Sequence, residues 1–277
     1  MVRIDAHVHL WEPVRGDYGW LVPSLQRLFR PFSVEDLWPL LRAADVDGVV
    51  LVQAAPTVGE TEYLLSIAEE TPWILGVVGW IDFESAGAEE EVLRRSAQLV
   101  GVRPMLQDLE DPQWILRPGH EAVLRALETS RLVFDALISP VHLPVITELA
   151  TRYPSLQIVI DHAAKPPVGS GLDPVWRSTI RAAAAHRNVF CKVSGLLTEL
   201  APTATAAESI SAHFDELLAI FGGTRLIWGS DWPVLTQVAH YQDWFDITRR
   251  WLGRLDDEAS AAILGGNAAR IYGLDVQ

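Results

Sequence analysis

Short apolar segments rich in β-branched residues recur along the chain, and amphipathic stretches separate most of them. Strands that are apolar almost without interruption are typical of a parallel sheet with both faces covered. Eight strands are predicted, at residues 4–10, 48–53, 74–82, 99–103, 132–138, 157–162, 189–195 and 225–231. Helices are predicted at about residues 60–70, 141–153, 176–186 and 206–221, besides one that begins after Ser33.

The number and order of these elements indicate the fold class. Eight alternating strand and helix units in 277 residues favour a closed barrel over an open, doubly wound sheet. The glycine-rich phosphate fingerprint of open sheets does not follow the first strand. We therefore predict an α/β protein made of a single (β/α)8 TIM barrel, with one domain over residues 1–277.

A segment rich in Trp, Pro and Gly, about residues 11–33, follows the first predicted strand. Loops of this length inside a compact domain are commonly functional. The segment contains Trp11 and Trp20, and aromatic side chains in loops often form the wall of a pocket. We expect this first βα loop to act as a lid or a pocket wall.

Composition limits the location and the partners. The net charge of −14 argues against nucleic acid, which requires a basic surface. No apolar run reaches the ~18 residues of a membrane span, and the first residues lack the zones of a signal peptide. The single cysteine, Cys191, excludes a disulfide framework or a zinc–thiolate cluster within one chain. We expect a soluble, cytoplasmic protein, and Trp244 and Trp251 suit either the barrel surface or a homo-oligomer interface.

Polar side chains follow almost every predicted strand, at the edge where barrel enzymes carry their chemistry. His7 and His9 alternate on the first strand and therefore project to one face, together with Asp5. Two imidazoles on one face suit a metal or proton-transfer site. The other polar residues at the strand ends are Gln53, Asp82, Arg103, Asp135, Asp161, His162, Lys192, Ser194 and Asp231.

These motifs resemble those of the amidohydrolase superfamily of (β/α)8 barrels. The resemblance begins with Asp-x-His-x-His at residues 5–9 and includes His162 and Asp231. It is strongest for the branch of predicted metal-dependent hydrolases that contains sugar lactonases and pyrone-dicarboxylate hydrolases, and in particular for fuconolactonase-like members. The matching segments are residues 52–57, 101–108, 160–166, 191–196, 228–233 and 265–272.

The resemblance implies a hydrolase that opens a sugar-acid lactone to its aldonate. Asp231 is then the general base, and His7 and His9 activate the carbonyl, with His162 sharing either role. Arg103 would bind substrate oxygens. Further substrate-binding residues are expected among Gln53, Trp20, His142 and Trp232, and Trp11 and Trp80 are additional candidates for stacking on a sugar ring.

The resemblance leaves the metal open. Arg103 stands on the fourth strand, where many superfamily members carry a bridging lysine or glutamate, so a binuclear centre is not expected. One divalent ion on His7, His9 and Asp231 is one alternative, with zinc the best match to these donors. In the other, the site is metal-free and the histidines alone polarise the carbonyl.

Three other functions suit parts of the same pattern. A metal-dependent decarboxylase of a small carboxylic acid has a similar first strand and last aspartate. A pyrone-dicarboxylate-type lactone hydrolase shares the branch motifs. A sugar-binding barrel without turnover would retain its ligand affinity after Asp231→Asn.

Overall fold

The computed structural model describes residues 2–169, 171–201 and 206–276. Its strands are all parallel and lie side by side in chain order, which confirms the predicted (β/α)8 barrel. They are β1 Ile4–Val8, β2 Gly48–Val52, β3 Ile74–Gly79, β4 Gly101–Val102, β5 Val133–Ala136, β6 Ile158–Ile160, β7 Val189–Val193 and β8 Leu226–Trp228.

The last strand returns to the first through the residues that follow it. Asp231 donates its backbone N–H to the carbonyl of His7 at 2.9 Å, and His9 donates to the carbonyl of Trp232 at 2.8 Å. Asp5 accepts hydrogen bonds from the backbone N of Ser230 at 2.8 Å and from the Tyr241 hydroxyl at 2.9 Å. These contacts join the two ends of the sheet and place Asp231 directly beside His7.

Helices cover the outside of the barrel. They are α1 Val34–Ala43, α2 Val58–Glu70, α3 Ala88–Arg95, α4 Glu121–Ser130, α5 Leu143–Arg152, α6 Pro174–Ala184, α7 Ala206–Phe221, α8 Tyr241–Leu252, α9 Asp257–Ala261 and α10 Asn267–Tyr272. Of the helices described, none is both long enough and apolar enough to cross a membrane.

Side-chain caps explain where two helices depart from their predicted starts. α2 begins at Val58, because the Thr57 hydroxyl accepts a hydrogen bond from the backbone N of Glu60 at 3.0 Å. α6 begins at Pro174, because Asp173 accepts from the backbone N of Trp176 at 2.7 Å and proline suits the first helical position. α5 begins two residues later than predicted, since Pro140–His142 forms a 3₁₀ turn first.

The first βα loop folds back on its own base. Trp11 and Phe32 exchange backbone hydrogen bonds at 3.2 and 2.9 Å. The Trp11 indole donates to the carbonyls of Leu28 and Arg30 at 3.1 and 3.0 Å and is fully buried. Trp11 therefore lies inside the loop and stabilises its shape, and it is Trp20 that reaches the barrel mouth.

Candidate active site

Three histidines and one aspartate meet at the carboxyl ends of the strands. His7 and His9 come from β1 and the residue after it, His162 follows β6 and Asp231 follows β8. The Nε2 atoms of His9, His7 and His162 lie 3.3, 3.7 and 3.8 Å from Asp231 Oδ1, and the Nε2 atoms of His7 and His9 are 3.2 Å apart. We call these four residues the catalytic cluster.

An unusual backbone turn places His162 in the catalytic cluster. The four residues from His162 to Lys165 all have φ between 51° and 60°. Left-handed backbone costs roughly 1–2 kcal/mol for each residue with a side chain. Neighbours hold the turn in place: the Trp176 indole donates to the carbonyl of Ala163 at 2.8 Å, and Lys165 N donates to the carbonyl of His162 at 2.8 Å.

The imidazoles are neutral in this environment. Burial lowers the pKa of His7 and of His9, and it lowers the pKa of His162 to about 4. Burial by itself would raise the pKa of Asp231, but His162 and the hydrogen bond with His9 outweigh it, and the pKa lies well below the ordinary value. The catalytic cluster thus pairs a carboxylate with uncharged imidazoles at neutral pH.

The hydrogen bonds of His9 show what the catalytic cluster can hold. Its Nδ1 lies 2.7 Å from the Val52 carbonyl, which can only accept, so the proton of the neutral ring is on Nδ1. Its Nε2 then faces Asp231 Oδ1 at 3.3 Å, and these two acceptors attract each other only through a cation between them, either a shared proton or a metal ion. His7, His162 and Asp231 each offer one ligand atom, all within 4.8 Å of one another, and imidazole nitrogen and carboxylate oxygen are donors that suit zinc.

His7 can adopt either of two tautomers in its surroundings. Its Nδ1 lies 3.2 Å from Lys192 Nζ and 3.4 Å from Asp161 Oδ1. With the proton on Nδ1 and directed to Asp161, Nε2 is free to bind a metal. With Lys192 donating to Nδ1, the proton is on Nε2 and can be donated to His9 or to a bound carbonyl oxygen.

A network of buried charges supports the catalytic cluster from inside the barrel. Lys192 is fully buried, bonds to Asp135 and lies 3.1 Å from Asp161. Arg103 pairs with Asp161 at 3.3 Å, and the Tyr272 hydroxyl donates to Asp135 at 2.8 Å. Burial favours the neutral form of Asp161, but Lys192, His7 and Arg103 outweigh it and hold its pKa well below the usual range. Lys192 thus pairs structurally with both aspartates, an arrangement that the sequence left open.

A cavity of about 240 Å³ opens above the catalytic cluster. Five of the predicted site residues line it, namely His9, Trp20, Arg103, His162 and Asp231. The others lie outside the lining: His7 is fully buried beneath it, and Gln53, His142 and Trp232 are at most 4% exposed. Gln53 donates from its amide to the carbonyl of Arg103 at 2.6 Å, so it contacts the backbone of a lining residue. Direct substrate contact by Gln53, His142 and Trp232 stays a prediction.

Several lining residues were not assigned to the site from the sequence. They are Leu25, Leu28, Ala54, Met105, Gln107, Asp108, Leu137, Lys165, Val234 and Gln237. Gln107, Asp108 and Lys165 lie within the motif segments, so the motifs contained the signal that could have identified them. Leu25 and Leu28 had no comparable signal, because apolar residues in a loop are ordinarily assigned to packing.

A parallel barrel that brings imidazoles and a carboxylate together at the ends of its first, sixth and last strands has the architecture of a hydrolytic (β/α)8 enzyme. The family described as Amidohydrolase matches residues 4–274, and the chain belongs to this family.

Two curated relatives have the same name. The L-fucono-1,5-lactonase of Burkholderia ambifaria is 42% identical over 279 residues, which cover 99% of this chain and 96% of that protein. The L-fucono-1,5-lactonase of Burkholderia multivorans is 34% identical over 285 residues, with the same coverage of 99% and 96%. A crystal structure of a Burkholderia multivorans amidohydrolase with bound zinc superposes with a TM-score of 0.94 at 33% identity, covering 99% of this chain and 100% of that one.

Proposed function

We propose that the protein is a lactonase that hydrolyses a sugar-acid 1,5-lactone of the L-fuconolactone type to the open aldonate. The observation that carries the proposal is the Asp231 carboxylate within 3.8 Å of three imidazole nitrogens, at the floor of a cavity that suits one sugar ring. The two curated relatives named as L-fucono-1,5-lactonases support the same substrate class.

In the proposed reaction Asp231 is the general base. Its Oδ1 faces the imidazoles, and the other carboxylate oxygen accepts a proton from water as the water oxygen bonds to the lactone carbonyl carbon. The ring C–O bond then breaks, and the proton passes from Asp231 to the departing ring oxygen. The balance is one water consumed and one hydroxy acid formed.

The remaining polar groups stabilise charge and orient the ring. His162, which lines the cavity, donates from Nε2 to the carbonyl oxygen as negative charge develops there, commonly the largest contribution to catalysis, and His7 supports the catalytic cluster from beneath. Arg103 reaches the cavity while it is fixed by Asp161, so its guanidinium can bind substrate oxygens without a large entropic cost. Trp20 is fixed by its indole bond to the Ala54 carbonyl at 2.7 Å and provides a wall for the ring.

The proposal includes one divalent ion, preferably zinc. Its ligands would be His7, His9 and Asp231, with His162 adjacent. When bound, it would supply Lewis-acid polarisation of the carbonyl. The chain's own contribution is the donor geometry. After chelation and dialysis, zinc should raise the melting temperature of the wild type, because an ion that binds only the folded state stabilises it.

Two substitutions test the proposed ligand set. His9→Gln should abolish most of the zinc-dependent rise in melting temperature, whereas His240→Gln, at an exposed histidine of α8's N-terminus, should leave it unchanged. An equal rise in both variants would exclude His9 as a ligand.

The reaction itself is tested by a pH-indicator assay on a panel of sugar lactones, before and after chelation. Asp231→Asn should lower kcat by at least about a hundredfold with little change in melting temperature. Glu89→Gln, which neutralises an exposed acid on α3, is the matched control and should retain full activity. Turnover of a lactone that persists in Asp231→Asn would contradict the proposed base.

The same assay separates the alternative functions. If no lactone reacts faster than it does spontaneously, the lactonase proposal is wrong, and release of carbon dioxide from small aromatic acids would identify a decarboxylase. A lactone that binds without turnover would identify a sugar-binding barrel. A cytoplasmic location and self-association stay predictions from the sequence.

A further inference from the structure

We propose that one side of the cavity recognises the methyl group of a 6-deoxy lactone through Leu25, Leu28 and Val234. The inference rests on the proposed lactonase function and adds the residues that select the substrate at the carbon next to the ring oxygen. We call these three residues the methyl wall.

The residues that line the cavity form two groups, according to where their loops lie around the barrel. Leu25 and Leu28 come from the first βα loop and Val234 follows β8. β1 and β8 are joined through the bridge between Val8 and Trp232. Their loops are also joined, since Arg27 donates to the carbonyls of Thr236 and Gln237 at 3.2 and 2.8 Å. The residues of the methyl wall therefore line one cavity from two loops that are joined to each other.

Most of the polar lining lies across the barrel from the methyl wall. Arg103, Gln107 and Asp108 follow β4, and Lys165 follows β6. In a closed barrel of eight strands, β4 to β6 stand opposite the junction of β1 and β8. Met105 and Leu137 also lie on this side, where they can pack against the C–H groups of a sugar ring. On the side of the methyl wall, the polar lining residues are His9 and Asp231 of the catalytic cluster and the exposed Gln237.

The covalent structure of a sugar 1,5-lactone matches this division. The carbonyl carbon is bonded to the ring oxygen, which is bonded to C5, the carbon that bears C6. C6 is therefore close to the ester that reacts. The hydroxyl groups are on C2, C3 and C4, which form the remaining part of the ring. With the carbonyl at the catalytic cluster and the hydroxyl groups toward Arg103, Asp108 and Lys165, C6 faces the opposite side.

Val234 is placed to contact C6 directly. It is three residues beyond Asp231, in a turn closed by a hydrogen bond from Leu235 N to the carbonyl of Asp231 at 2.9 Å. Its side chain is half-buried at the cavity surface, as is that of Leu25, whereas Leu28 is only 1% exposed behind them. A hydroxyl group at C6 would lose water against these side chains without gaining a hydrogen bond from them.

The test compares two lactones that differ only at C6. L-Fucono-1,5-lactone carries a methyl group there, and L-galactono-1,5-lactone has the same stereocentres with a hydroxymethyl group. Both are generated from the sugars just before the assay. An apolar pocket discriminates against an added hydroxyl by up to about a hundredfold, so we expect the wild type to prefer the methyl lactone in kcat/KM by about 10- to 100-fold.

Substitutions assign this preference to the methyl wall. Val234→Thr replaces one methyl by a hydroxyl at nearly constant volume and should reduce the preference by at least about threefold. Val238→Thr makes the same change at a valine 54% exposed in the same segment and outside the cavity lining, and should leave the preference unchanged. Leu25→Asn, in the other loop, should act like Val234→Thr and provides a second variant if Val234→Thr does not fold.

The outcomes separate the inference from the function on which it rests. Turnover of both lactones with equal kcat/KM would overturn the methyl wall and leave the lactonase intact. A wild-type preference that survives both Val234→Thr and Leu25→Asn would also overturn it. If neither lactone is hydrolysed, the proposed function fails first, and the methyl wall fails with it.

Discussion

Gly195 is a residue whose missing side chain leaves space for the His162 ring. It follows β7 with φ of +66°, and a Cβ built there would lie 2.7 Å from Cγ and Nδ1 of His162. The His162 ring is held at the same edge by Ser194, whose hydroxyl is 2.8 Å from Nδ1. His162 therefore depends on two successive residues of the neighbouring strand, one that bonds to it and one that leaves space for it.

We expect Gly195→Ala to damage catalysis more than stability. Any alanine at positive φ costs about 1–2 kcal/mol, and here the Cβ must also displace His162. A displacement of about 1 Å in a catalytic group can lower the rate by roughly a hundredfold. The measurement is kcat for lactone hydrolysis together with the free energy of unfolding.

Gly222→Ala is the matched control. Gly222 has a similar φ of +69°, but no atom of the described residues lies within 4 Å of its ideal Cβ. Gly222→Ala should lower the free energy of unfolding by the conformational cost of positive φ alone and leave kcat unchanged. Equal losses of kcat in the two variants would mean that backbone strain, and not the contact with His162, is responsible.

At the scale of elements, a buried acid connects α2 to the first βα loop. Glu60 is fully buried in the first turn of α2 and accepts from the Tyr18 hydroxyl at 2.6 Å and from the backbone N of Ala54 at 3.1 Å. Burial raises its pKa from 4.5 to about 7, despite these hydrogen bonds. The loop that carries Trp20, Leu25 and Leu28 is therefore fixed next to a group that titrates near neutral pH.

The raised pKa of Glu60 predicts that the contribution of this group to the free energy of unfolding falls as pH rises. Between pH 4.5 and about 7 the folded protein holds a proton at Glu60 that the unfolded chain has lost. The contribution of Glu60 to the free energy of unfolding should therefore decrease across this window by up to about 3 kcal/mol. The lowered pKa values of His7, His9 and His162 act in the opposite direction below pH 6.5. Urea unfolding at a series of pH values measures the effect.

Comparing two variants separates the contribution of Glu60 to the pH dependence from the contributions of the other buried titratable groups. Glu60→Gln should remove the decrease due to Glu60, so its free energy of unfolding should rise more with pH than that of the wild type, because an amide has no proton to lose in this range. Glu69→Gln, at an exposed position of the same helix, should leave the dependence as in the wild type. An unchanged slope in Glu60→Gln would show that Glu60 titrates normally in the folded protein.

The sequence predicted the elements better than it predicted their ends. The strands were recognisable because a parallel barrel buries both faces of each strand, which leaves uninterrupted apolar segments. The turn from His162 to Lys165 was not recognisable, since His-Ala-Ala-Lys contains no glycine to indicate left-handed backbone. The Glu60–Tyr18 pair, 42 residues apart, likewise has no local signal.

For the candidate site, the sequence identified the atoms that converge at the strand ends but not the walls around them. His7, His9, His162 and Asp231 could be found because the ends of parallel strands meet at one edge of the barrel. Asp5, expected to project with the histidines, instead has its carboxylate bonded to Ser230 and Tyr241. That change follows from the irregular register of β1 between Asp5 and Val8, which sequence alternation does not reveal.

At the scale of the whole molecule, the barrel depends on the junction between its first and last strands. Asp5 is fully buried there, and burial raises its pKa to about 6 although Ser230, Tyr241 and His7 all donate to it. Tyr241→Phe removes the hydroxyl that donates to Asp5 at 2.9 Å. It should lower the free energy of unfolding by about 1.5–3 kcal/mol, because the acceptor is a buried carboxylate.

Chemical denaturation of Tyr241→Phe at neutral pH measures this loss. Tyr63→Phe, at a half-buried tyrosine of α2, is the comparison and should change stability by less than about 0.5 kcal/mol. Equal effects of the two substitutions would mean that the Asp5 hydrogen bond does not contribute to closing the barrel.

The hydrogen bond from Ser230 to Asp5 joins residues 225 positions apart, and the same junction brings Asp231 to His7. During synthesis at about 5–20 residues per second, His7 and His9 are added roughly 10–45 seconds before Asp231. A chain interrupted anywhere before that point has histidines without their carboxylate. Lactone hydrolysis by a nascent chain would therefore report the moment at which the last strand reaches the first, and truncated chains that accumulate in a cell would be inert toward the substrate.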